Sequence, residues 1–348
     1  MEYAMRELYD VRGAVYIPTR TYNAYQMWSE YKSEEMERNT GYAASLRLNA
    51  LRIWLSYELW LENSSILERS FDDMLALCSK RGISVMPSLF EHCGVEPTPE
   101  ALKGKDPFKA FAVASPGNAV VSHRDLWEKP RQYVEWFMRS FGNDDRLLAI
   151  EVMNEPCSVM ELAFAQEMNL CMSQKKGSVA FSIGAIGGVR SIAHYRDWDL
   201  DTFQYHYNFP RSREIFEASL QEAAELQAMS KRPVWISEWQ RVRKSTSGWM
   251  DKPLSGDEWA PDLASLADLV REYPVGNFFW SLMLKPAYLP VQRSRGTLNG
   301  VFHEDGAVWS LIDARAVSDD PSFSAVERKE WPEWARAIPE KLALSWER

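Results

Sequence analysis

At 348 residues, 46% hydrophobic and 26% charged, the chain has the composition of a folded globular protein with a large core. A net charge of −9 argues against a nucleic-acid backbone or an anionic membrane as partner. The opening residues lack the apolar centre of a signal peptide and no later run could span a bilayer, so cytoplasmic residence is the default expectation.

The predicted elements alternate between short apolar strands and amphipathic helices, the pattern of a parallel α/β fold. Gly13–Pro18 reads as a first strand, followed by an aromatic loop and a helix from Tyr31 to about Arg47. Ala50–Leu55 is a second strand that carries Arg52, which is costly in an apolar run unless paired. A helix capped by Ser64 or Ser65 presents Leu67, Phe71, Met74, Leu75 and Cys78 on one face. Ile83–Leu89 forms strand three and closes on Phe90-Glu91-His92. The irregular stretch from Cys93 to Ser122 is long enough to be a functional loop, expected to wall or cover a cleft.

After a helix over Leu126–Phe141 comes the stretch around which the chain is organised, Leu147–Pro156. It reads as a buried strand that ends abruptly in Asn154-Glu155-Pro156. Pro156 stops the ladder and leaves Asn154 and Glu155 at the strand tip. A Glu at a strand end is often only a solvated loop residue. Here a second stretch repeats the design: Val234-Trp235-Ile236 runs into Ser237-Glu238-Trp239. Two buried strands that each close on a carboxylate offer the acid and nucleophile of a retaining glycosidase.

Between these stretches lie a helix over Ser158–Met172, strand five at Val179–Ile183 and strand six at Asp201–His206. The cluster Gly184-Ala185-Ile186-Gly187-Gly188 lacks the Lys-Ser/Thr of a phosphate loop and reads as a tight turn. A helix over Ser212–Ser230 leads to strand seven. Beyond Glu238, Arg241, Arg243, Lys244 and Trp249 make a basic loop, a solvated rim or a contact for an acidic sugar. Leu263, Leu266, Ala267 and Val270 mark another inward helix face. Strand eight is Gly276–Leu282; Glu304-Asp305-Gly306 beside His303 favours a turn, and a helical tail with Trp331, Trp334 and Leu342 closes the chain. Eight strands with intervening helices leave no room for a second full domain, so residues 1–348 are expected to be one (β/α)8 (TIM) barrel of class α/β.

Asn154-Glu155-Pro156, Glu238 and Asn49-Ala50-Leu51-Arg52-Ile53-Trp54 together resemble the clan of retaining (β/α)8-barrel glycoside hydrolases, family-five-like cellulases and mannanases above all. The resemblance implies that Glu155 is the acid/base, that Glu238 is the nucleophile, and that Arg52 supports Glu238. It further implies that Asn154 binds the sugar 2-hydroxyl, that His206 and Tyr207 touch the nucleophile or substrate, and that Trp280 floors the subsite of the cleaved sugar. Trp54 and Trp239 complete the expected substrate contacts. The 15 tryptophans suit a carbohydrate cleft.

No metal or organic cofactor is required, and Cys78, Cys93, Cys157 and Cys171 show no CxxC spacing of a metal site or disulfide framework. The expected partner is a carbohydrate, with β-linked glycosides or oligosaccharides first. A transglycosidase with the same site and a non-catalytic sugar-binding barrel are the alternatives. A metal-dependent isomerase would need more ligands than His92 and His206 supply at strand ends.

Overall fold

Eight short parallel strands close on themselves in sequence order. A computed structural model of the protein describes residues 8–245, 254, 256–287, 289–293 and 296–346. The strands are β1 (Arg12–Val15), β2 (Ala50–Trp54), β3 (Ser84–Glu91) and β4 (Ala149–Asn154), then β5 (Ala180–Ala185), β6 (Phe203–Tyr207), β7 (Val234–Trp239) and β8 (Gly276–Phe279). β1 pairs with both β2 and β8, which seals the barrel. Every strand is buried on both faces, which is why so few polar residues interrupt them.

Around the barrel lie α1 (Ser33–Ser45), α2 (Tyr57–Ser79), α3 (Glu128–Phe141), α4 (Val159–Gln174), α5 (Arg213–Ser230), α6 (Ala267–Glu272) and α7 (Leu311–Ser318). The link from β5 to β6 departs from the expected alternation: a 3₁₀ segment, Val189–Tyr195, stands in place of an α-helix. Period-2 alternation sorts the side chains. Ala50, Met86, Ala149, Trp235 and Phe278 fill the interior with Trp54 and Trp280, whereas Leu51, Ile53, Ile150, Val152 and Ile236 face the helices.

Two boundaries differ from expectation. Helix α2 starts earlier, at Tyr57, where the Ser56 hydroxyl accepts from the Leu59 N–H. It breaks at Asn63 (φ −158°, ψ 83°), whose side chain accepts from the Ile66 N–H at 3.1 Å. Asn63, and not Ser64 or Ser65, therefore restarts the helix, as a short polar side chain at an N-cap does. Strand β3 also runs on to Glu91, which brings that carboxyl into the barrel ladder beside Asn154.

The long loop after β3 is fastened as a wall. Glu91 pairs with Ser115 and Val95 with Val113, and the Gln26 amide donates to the carbonyls of Leu102 and Gly104. Beyond β8, Glu304-Asp305-Gly306 forms the expected turn: the His303 N–H donates to Ala307, and Gly306 adopts φ +87°. The tail ends in a helix, Ala337–Trp346, and the side chain of Leu342 lies outside the described residues. Among the described residues no helix is long and apolar enough to cross a membrane.

Candidate active site

Arg52 is the hub of the barrel's C-terminal mouth, where the active sites of such barrels lie. It points inward from β2 and has no exposed surface. Its guanidinium meets Glu151 of β4 through two bonds of 2.7 Å, Glu238 Oε1 of β7 at 2.8 Å and Asn154 Oδ1 at 2.6 Å. Burial alone would lower the Arg52 pKa; the charges and hydrogen bonds of Glu151 and Glu238 outweigh it and raise it. The fork of donors suits this task because it serves two carboxylates and an amide from one fixed plane. Gln204 of β6 adds a bond to Glu151 Oε2 at 3.0 Å.

Room for this network comes from β5. A Cβ on Gly184 would lie 2.9 Å from Glu151 Oε1, 3.2 Å from Arg52 and 3.3 Å from Asn154. Gly184 is therefore a strand residue whose missing side chain admits the polar cluster. The turn expected from the glycine cluster follows it, with Gly187 at φ +80°.

Glu155 and Glu238 face each other across His206. His206 Nδ1 lies 2.6 Å from Glu155 Oε1 and 3.6 Å from Glu238 Oε1. A carboxylate oxygen of each glutamate lies within 4.8 Å of the other's. Asn208 Nδ2 donates to Glu238 Oε2 at 2.9 Å, and Cys93 Sγ donates to Glu155 Oε2 at 3.1 Å. Desolvation pushes the Glu155 carboxyl up, but the hydrogen bond and charge of His206, with help from Cys93 and Arg52, hold it down to about 2. Desolvation raises Glu238, and the charge of Glu155 adds to the rise; His206, Arg52 and Asn208 offset it in part.

Glu91, at the end of β3, is a third carboxyl at the mouth. It accepts from Asn154 Nδ2 at 2.8 Å and from the Cys93 N–H at 2.6 Å. Desolvation pushes it up to about 8 against these two bonds, so it is largely protonated at neutral pH. It also lines a cleft with Tyr22, Met27, Trp54, Cys93 and Val113, which joins the β1 loop and the long β3 loop.

Of the residues expected from sequence, Arg52, Asn154, Glu155, His206 and Glu238 converge here. Trp54 and Trp280 stand beside them inside the barrel, edge to face at 5.7 Å, with the Arg52 guanidinium 4.9 Å from the Trp54 ring. Tyr207 and Trp239 require correction as substrate contacts. Tyr207 packs outward on Phe216 of α5 at 5.9 Å, and Trp239 turns into the helix layer against Phe279 with its Nε1 on Asn277. Neither side chain faces the mouth.

In the basic loop Arg241 and Arg243 are likewise turned inward, whereas Lys244 is exposed. Arg241 donates to the carbonyls of Glu258 and Leu298, and the Arg243 guanidinium lies 3.7 Å from the Phe209 ring centroid. Both brace the fold; Trp249 lies outside the described residues.

Sequence reasoning passed over Glu151, Glu91, Asn208 and Cys93. Glu151 carried a usable signal, since a charge in the middle of a buried strand demands a partner. Arg52 was the obvious one.

No family model matches the chain, and no curated protein matches it in sequence. Solved structures do. The GH5_18 protein from Bifidobacterium longum subsp. longum in complex with Manβ1-4GlcNAc aligns with a TM-score of 0.63 at 12% identity, covering 89% of this chain and 77% of that one. The endo-1,4-β-D-mannanase from Thermotoga petrophila RKU-1 aligns at 0.57 and 13% identity, covering 89% and 98%. An exo-β-1,4-mannosidase from Opitutaceae bacterium strain TAV5 aligns at 0.61 and 15% identity, covering 95% of this chain and 59% of that one. The fold is that of family-five-like (β/α)8-barrel glycoside hydrolases. Active sites of barrels with this fold lie at the C-terminal mouth.

Proposed function

We propose that the protein is a retaining glycoside hydrolase acting on β-linked glycosides or oligosaccharides, with Glu155 as acid/base and Glu238 as nucleophile. The observation that carries this reading is the pair of carboxyls across His206, with oxygens within 4.8 Å of each other. Retaining enzymes hold their carboxyls about 5–5.5 Å apart, whereas inverting ones leave about 6.5–9.5 Å for a water.

The roles are assigned from the contacts: Glu238, gripped by Arg52 and Asn208, attacks C1 of the sugar as a carboxylate. Its attack forms a C1–O bond as the glycosidic C1–O bond breaks. The departing oxygen takes its proton from Glu155, whose Oε1 lies 2.6 Å from His206 Nδ1. To act as the acid, Glu155 has to gain a proton against the pull of that contact, which lowers its pKa.

Once Glu238 is esterified its negative charge is gone. Glu155 then removes a proton from water, the water oxygen bonds to C1, and Glu238 leaves as a carboxylate with the anomeric configuration retained. Asn154, anchored by Arg52 and Glu91, is assigned to the 2-hydroxyl. Trp280 and Trp54 offer apolar faces to the sugar ring. No step in this sequence calls for a metal or organic cofactor.

The test is hydrolysis of a panel of aryl β- and α-glycosides by the wild-type protein, Glu155→Ala and Glu238→Ala. β-Mannosides head the panel because two of the aligned structures are named for β-1,4-mannosidic bonds. Release from one β-glycoside, lost or sharply reduced in both variants, is the expected result. Undiminished release in either variant would overturn the assignment of that residue. Turnover that appears only with a hydroxyl acceptor would mark a transglycosidase.

A further inference from the structure

Next to the carboxyl pair, and outside the proposed chemistry, the tips of β3 and β4 bring together a histidine, a cysteine and a glutamate. His92 follows Glu91 directly, and Cys157 stands two residues beyond Glu155. Their backbones are tied, since the His92 N–H donates to the Asn154 carbonyl at 3.3 Å. Glu161 belongs to the first turn of α4. Its Oε2 accepts from the N–H groups of Cys157 and Ser158 at 2.9 and 2.8 Å, the return half of a capping box. That box fixes the carboxylate and leaves Oε1 free to reach His92 Nδ1 at 2.8 Å.

The consequence is an imidazole of defined orientation. Nδ1 is engaged by the carboxylate, so Nε2 is the nitrogen left on the side of Cys157 Sγ, 3.5 Å away. A carboxylate behind a histidine is the arrangement that orients imidazole ligands of metal ions. The spacing fits as well. Zinc–sulfur and zinc–nitrogen bonds of about 2.3 and 2.0–2.1 Å at a tetrahedral angle put sulfur and nitrogen about 3.6 Å apart. One ligand atom from each of the three residues lies within 4.8 Å of the others.

We propose that Cys157, His92 and Glu161 form a binding site for a borderline-soft divalent ion of the Zn²⁺ type at the rim of the barrel mouth. Cys157 Sγ and His92 Nε2 are the ligands, and Glu161 holds the imidazole in place. A coordinating ion displaces the thiol proton of Cys157 outright. On binding, the S–H bond breaks, its proton goes to solvent, and the sulfur pair bonds to the metal. Thiolate and imidazole together select Zn²⁺ and Co²⁺ over Mg²⁺ or Ca²⁺. Cys157 is exposed and His92 partly so, which leaves the remaining coordination positions open to water. This site does not depend on the glycosidase reading.

The test is a Co²⁺ titration of the full-length protein followed by absorbance, with Zn²⁺ added afterwards. The expected result is a sulfur-to-cobalt charge-transfer band that saturates at one equivalent, collapses on addition of Zn²⁺ and is lost in Cys157→Ser. Glu161→Gln, which keeps an oxygen for the capping bonds, should weaken Co²⁺ binding roughly 10–100-fold, as loss of an orienting partner does. Zn²⁺ should also slow alkylation of Cys157, read by peptide mass mapping, while Cys93 serves as the internal control. The absence of a charge-transfer band in the wild type overturns the proposal. Its persistence in Cys157→Ser also does so, by assigning the sulfur to Cys93.

Discussion

Arg52 and Glu151 are joined by two parallel bonds of 2.7 Å in the middle of the barrel, and neither side chain has any exposed surface. Replacing Glu151 with Gln leaves a buried guanidinium with a weaker partner. Breaking one side of a buried pair typically costs about 3–5 kcal/mol. The expected outcome is a loss of about 3 kcal/mol in urea unfolding, at the lower end because Glu238 still holds Arg52. A loss below about 1 kcal/mol would show that the pair is not what fixes Arg52.

Glu91 gives stability a pH dependence of known sign. Its folded-state pKa, about 8, stands above the ordinary 4.5, so the folded chain binds this proton more tightly than the unfolded chain. The contribution is complete below about 4.5 and is lost as pH rises through about 8. The shift corresponds to at most about 5 kcal/mol across that window. Glu91→Gln keeps an acceptor for Asn154 and Cys93 but cannot ionise. Its stability relative to wild type should therefore rise from pH 5 to pH 8, measured by unfolding at both; a constant difference would contradict the buried, protonated Glu91.

Chemical rescue separates the two proposed roles. Glu238→Ala removes the group proposed to attack C1 and opens a gap beside Arg52. Azide should occupy that gap, restore turnover of an activated aryl glycoside and yield a glycosyl azide of inverted configuration. A rescued product of retained configuration would reassign Glu238.

Tyr207, the last residue of β6, and Asn208 just beyond it face opposite ways. Tyr207→Phe removes a hydroxyl that lies in the helix layer, so kcat/KM should change by no more than about twofold. Asn208→Ala removes the bond to Glu238 Oε2, and a hydrogen bond to a charged group is worth about 1.5–3 kcal/mol. The expected loss is roughly 10–100-fold in kcat/KM. Equal effects at both positions would contradict the strand's orientation.

The barrel and its charged centre were legible because a charge inside an apolar strand needs a reason. Arg52, Glu155 and Glu238 each broke such a run. Side-chain direction at the mouth was harder to read. Strict alternation from Trp235, which points inward, would place Ser237 and Trp239 inside and Glu238 outside. Instead the register shifts between Ile236 and Trp239, and Glu238 turns in while Trp239 turns out. A matching shift lies between Glu151 and Asn154 of β4. Such irregularities re-aim side chains next to active sites, and they depend on the neighbouring strand, which local sequence does not contain. Glu91 and Asn208 escaped notice for a related reason, because their roles exist only across strands.

Among the described residues, four other than glycine have positive φ, and Arg47, Lys231 and Asp319 of these are exposed. Glu155 is the fourth, at φ +50°, with its backbone N–H bonded to the Gly184 carbonyl. A side chain in that region costs about 1–2 kcal/mol, a penalty that glycine avoids and asparagine lessens. Selection for foldedness and selection for turnover should therefore pull position 155 apart. A saturation library at that codon, sorted for display of folded protein, should enrich glycine and asparagine. The same library sorted for glycoside cleavage should return glutamate, so that the tip of β4 records which pressure shaped it.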